Sequence, residues 1–101
     1  MQLRQIAHAR AGDKGEALNI SLIAYRAEDY ALLEQHVTAE RVKQHFQGIV
    51  EGDVVRYALP RIGALNFVLY QALRGGVTRS LALDAHGKSL SSSLLSLELP
   101  G

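Results

Sequence analysis

No cysteine occurs in the 101 residues, so the fold must be held by one hydrophobic core, without a disulfide or a thiolate-bound metal. A chain of this length makes one domain, spanning residues 1–101, and buries about 60–70% of its unfolded surface. Hydrophobic residues supply 48% of the sequence, enough for such a core and too many for a disordered segment. The same absence removes iron–sulfur clusters and thiol nucleophiles from consideration. Eleven Lys and Arg against ten Asp and Glu leave a formal charge of +1, which gives no electrostatic ground for nucleic acid or an anionic membrane as partner.

The first residues, MQLRQIAHARAGDKG, mix charge into the opening turn and lack the apolar centre of a signal peptide. The longest apolar stretch, Ile62 to Leu73, contains Asn66 and Gln71 and falls short of the roughly 20 residues a membrane helix requires. A cytoplasmic protein is the expectation.

Hydrophobic periodicity sets out the elements. Leu3 to Ala9 and Asn19 to Tyr25 read as strands, joined by a loop over Arg10 to Gly15. Tyr30, Leu33 and Val37 keep helical spacing. Thr38 has the chemistry of an N-cap, followed by Glu40 in the first turn and by Val42, Phe46 and Ile49 on one helical face. In Val54 to Leu59 the residues Val55, Tyr57 and Leu59 share a side opposite Arg56, and Pro60 ends the strand. Ile62, Leu65, Leu69 and Leu73 suggest a second helix, apolar nearly all round and suited to a partner surface. Gly75 and Gly76 would stop it, Val77 to Asp84 reads as a strand, and Ala85 to Lys88 as a turn. In residues 89–99, SLSSSLLS suits a helical turn while LSLEL alternates like a strand. This order predicts an α+β sandwich with helices on one face of a mixed sheet, one antiparallel hairpin and parallel crossovers.

Two glycine-rich segments concentrate charge. In Arg10-Ala11-Gly12-Asp13-Lys14-Gly15, followed by Asn19, successive backbone N–H groups at a turn can form an anion-binding nest, with Arg10 and Lys14 adding charge. The spacing is neither a P-loop nor a dinucleotide fingerprint, and the same composition suits a plain tight connection with Asp13 capping its own backbone. In the second segment, Arg79 lies between apolar neighbours of one strand face. It needs a carboxylate such as Asp13, Asp53 or Asp84, or a ligand, unless it reaches water from an edge. Asn66 and Asp84 fit structural polar roles, since a buried amide must find hydrogen-bond partners.

His8 could move a proton if the loop is a site, whereas His86 suits a surface turn. No two of the four histidines stand at i, i+4, and no HExxH occurs, so neither a metal nor a cofactor is expected. A GxSxG elbow is also missing, so no serine triad has support.

Taken together, RAGDKGEALNISLIAYR, YALLEQHVTAERVKQHF and VVRYALPRIGALNFVLYQALRGGVTRSLALDAHGKSLSSSLL resemble the AtuA-like domain of acyclic terpene utilisation proteins, over nearly the whole chain. That domain occurs at the C-terminus of the large protein or as a separate small protein beside it. The resemblance implies a ferredoxin-like fold, a large AtuA-like protein as partner, and a place in the catabolism of acyclic terpenoid or branched acyl-CoA compounds. It carries no catalytic mechanism, and the matching positions are Arg10, Gly12, Asp13, Lys14, Gly15, Asn19, Asn66, Arg79 and Asp84. Two functions follow as expectations. One is an accessory or small subunit that docks, or self-associates as a homo-oligomer, through the apolar helix from Ile62. The other is a site-bearing enzyme subunit that holds an anionic carboxylate or CoA-thioester substrate through the RAGDKG loop and Arg79.

Overall fold

The computed structural model describes residues 1–14, 17–71 and 90–100. Four strands form one sheet: β1 (Ala7–Lys14), β2 (Ala17–Ala24), β3 (Val54–Leu59) and β4 (Ala64–Tyr70), in the spatial order β1-β2-β4-β3. Helices α1 (Tyr30–His36) and α2 (Ala39–His45) connect β2 to β3. All three pairings are antiparallel, so the parallel pairs of a mixed sheet are not found among the described strands. The expected crossover exists in another form. β2 and β3 run in the same direction, with β4 between them, so the helices complete a split β-α-β unit. The result is an α+β, ferredoxin-like fold with the helices against one sheet face.

Alternation along the strands builds the core. Leu18, Ile20 and Leu22 of β2 and Leu65, Phe67 and Leu69 of β4 are buried on one side, beneath Leu33, Val37, Val42 and Phe46 of the helical layer. The Thr38 cap forms as expected: its hydroxyl accepts from the Arg41 backbone N–H at 3.1 Å. Two arginines satisfy carbonyls at the end of α1, which the helix cannot satisfy itself. Arg56 donates to the carbonyls of Glu34 (2.8 Å) and Val37 (3.1 Å), and Arg41 to that of His36 (3.3 Å). Replacing Arg56 with Met keeps the apolar stem and removes those bonds. A loss of about 1–2 kcal/mol is expected in urea unfolding, and a wild-type midpoint would show that the helix end does without them.

The chain's two ends meet beside this layer. Residues 90–94 form a helical turn, and an isolated antiparallel bridge pairs Gln2 with Glu98, so the ambiguous tail is helical first and extended after. Leu3 N–H donates to the Leu97 carbonyl at 2.9 Å, and Leu99 N–H to that of Met1 at 2.7 Å. His45 Nε2 lies 2.8 Å from the Ser93 carbonyl, which can only accept, so this nitrogen carries the proton. The Tyr30 hydroxyl is buried without a hydrogen-bond partner among the described residues. Burial, then the nearby Glu34 carboxylate, raise its pKa above the ordinary tyrosine value against an opposing pull from Arg56, which keeps it neutral at physiological pH.

Three expectations need correction. Leu3–Gln5 is a short 3-10 turn, not the start of a strand. Arg10 to Lys14 belong to β1 rather than to a loop: each pairs with a residue of β2, down to Lys14 opposite Ala17. Gly12 does not break the strand because its backbone stays out of the left-handed region and the ladder continues through it. The third concerns the helix from Ile62 to Leu73. Pro60–Ile62 form a 3-10 turn, Gly63 takes a left-handed conformation at φ 64°, and Ala64–Tyr70 is the strand β4. A strand flanked on both edges and packed below reads as a continuous apolar run, and the helical spacing of its leucines is coincidental. The docking helix expected there does not exist. Gly75, Gly76, the strand Val77 to Asp84 and the turn Ala85 to Lys88 lie outside the described residues.

Candidate functional site

With α1 and α2 on one side, the register fixes what stands on the other. Residues directly opposite on antiparallel strands share a face, so each set of paired positions makes a row across all four strands. One row is Arg10–Ser21–Asn66–Tyr57. The next is Gly12–Asn19–Val68–Val55, and on the far side lies His8–Ile23–Ala64–Leu59. None of the twelve is Asp or Glu.

A polar network sits at the centre of this face. Asn66 Nδ2 donates to Asn19 Oδ1 at 2.6 Å and to Ser21 Oγ at 2.9 Å, and all three residues are half-buried. The His8 ring stacks on Tyr25 with centroids 5.3 Å apart. Towards β3 the surface becomes apolar. Tyr57, Leu59 and Ile62 are 51%, 41% and 66% exposed, and Ala58 to Ile62 line a shallow depression.

The structure therefore brings Arg10, Gly12, Asn19 and Asn66 onto one face, although they come from the first, second and fourth strands. The backbones of Asp13 and Lys14 pair with Leu18 and Ala17 at the end of β1. Gly15, Arg79, Asp84 and His86 lie outside the described residues. Ser21 escaped sequence reading, yet the buried alternation Leu18, Ile20, Leu22 already places Asn19 and Ser21 together on the opposite side. Ile62 was assigned to a helix, which hid its place beside Leu59. Tyr57 and Tyr70 place aromatic side chains on the strands, and the argument against nucleic acid is the near-neutral charge.

Among the described residues no cluster of His, Asp and Glu could hold a metal ion, and no helix is long and apolar enough to cross a membrane. The architecture defines an α+β domain with one helix-covered sheet face and one face left open among the described residues. Residues 1–100 match the family described as the AtuA ferredoxin-like domain, and the chain belongs to that family. Comparison with curated proteins and with solved structures gives no significant match.

Proposed function

We infer that this chain is an accessory or small subunit that assembles with a large AtuA-like protein, acting in the cytoplasm in the catabolism of acyclic terpenoid or branched acyl-CoA compounds. Family membership supports the partner and the pathway class. The observation that carries the docking role is the apolar corner of the open face. Tyr57, Leu59 and Ile62 stay in water beside the depression of Ala58 to Ile62. Apolar side chains gathered in one exposed patch mark a surface that another protein covers. Without its partner, the chain would cover the same corner by self-association.

Light scattering on a mixture with a large AtuA-like protein tests this. A complex is expected from the wild-type chain, and Ile62→Asp is expected to abolish it while leaving the unfolding midpoint unchanged, because Ile62 is outside the core. No complex at tens of micromolar, or a complex indifferent to Ile62→Asp, would overturn the reading.

A further inference from the structure

We propose that the half of the open face formed by β1 and β2 binds the oxyanion head group, a carboxylate or phosphate, of a small amphiphilic molecule, with the head group over Gly12. The bonding of the polar network is the starting point. Asn66 Nδ2 uses the acceptors Asn19 Oδ1 and Ser21 Oγ. Both residues also carry donors, the Asn19 amide N–H groups and the Ser21 O–H, while one lone pair of each oxygen is already engaged by Asn66. Neither side chain donates to an acceptor among the described residues, and Asn66 fixes both in place. Arg10 is directly opposite Ser21 in register, exposed, and without a salt bridge among the described residues. Three donor groups, one permanently charged, thus converge on a face whose rows carry no carboxylate.

Gly12 supplies the room. It lies opposite Asn19 and two residues along from Arg10, and among the described residues a Cβ built on it would meet no atom within 4 Å. An anion placed there has Arg10 and Ser21 on one side and Asn19 on the other. Beyond Asn19 the same row continues into Val68 and Val55, an apolar floor for the body of the ligand. Head group and body are therefore asked for by adjacent parts of one row.

This inference does not depend on the docking role, which uses the β3 corner, and it can be tested on the chain alone. A 15N-labelled sample is titrated with octanoate, octyl phosphate and octanol. Saturable shifts of the Arg10, Gly12, Asn19 and Ser21 amides are expected with at least one anion, and the tighter of the two assigns the head group. Octanol is expected to bind about tenfold more weakly or not at all, the worth of a charged hydrogen bond. Arg10→Gln should weaken the anion about tenfold. Gly12→Val should block it by filling the space while keeping every charge, and a β-branched residue suits that strand position. Both variants change exposed positions and should keep the wild-type melting temperature. No saturable anion binding, equal affinity for octanol, or shifts confined to Ala58–Ile62 would each overturn the proposal.

Discussion

Phe67→Ala should destabilise the chain by about 3–5 kcal/mol, the largest effect expected of any single truncation here. Phe67 is fully buried at the middle of β4, with Ile20 of β2 and Arg56 of β3 as its register neighbours. Its loss opens a cavity between two strands and the helical layer, and the ladder holds the surrounding backbone too firmly to close it. For a domain whose whole stability is about 5–15 kcal/mol, the variant would be partly unfolded at physiological temperature. Val68→Ala, one residue further and on the open face, should cost much less, within about 1 kcal/mol. Urea unfolding of the two variants measures the contrast. Equal losses at both positions would contradict the strand, because only a period of two separates them so sharply.

Gly52→Ala is the second large effect, and it comes from added volume. A Cβ at Gly52 would lie 2.6 Å from the Tyr70 carbonyl oxygen and 2.9 Å from Tyr70 Cβ. Backbone cannot give way as the tip of a flexible side chain can. The same carbonyl accepts the Gly52 N–H at 3.0 Å, while Tyr70 N–H donates to Asp53 at 2.9 Å. Moving the strands apart to admit one methyl strains both bonds, at about 1–3 kcal/mol. Gly12→Ala provides the comparison: its methyl meets nothing within 4 Å among the described residues, and the variant should stay within about 0.5 kcal/mol of wild type. If the two alanines shift the denaturation midpoint equally, the close approach of Gly52 to Tyr70 is not present in solution.

How far the sequence discloses this structure depends on how local each cause is. Thr38 as a cap, Tyr30–His36 as a helix and Val54–Leu59 as a strand are all set by neighbours within a few residues, and the structure places them there. The run from Ile62 is different. Apart from Asn66, its strand residues are largely apolar because of what packs on them from β2, β3 and the helices, and spacing alone assigns such a run to either element. Arg10 to Lys14 failed in the opposite way: two glycines and an aspartate look like a turn, but pairing with β2 extends the strand through the first of them. The element order led to an α+β sandwich with helices on one face, and the family resemblance added that it is ferredoxin-like. The meeting of Arg10, Gly12, Asn19 and Asn66 needed the register, because Asn66 joins the others only through the β2–β4 pairing.

That pairing also governs how the sheet comes together. β1 with β2, and β3 with β4, are each closed by a few intervening residues, so each can zip up within microseconds of its turn forming. The seam between the two halves joins positions such as Asn19 and Val68, with both helices in the intervening chain. Closing so long a loop is the entropically expensive step, and it gains its hydrogen bonds and core contacts only once the halves have met. The refolding rate should therefore respond to substitutions along the seam, at Ile20 and Phe67, far more than to those in either outer strand.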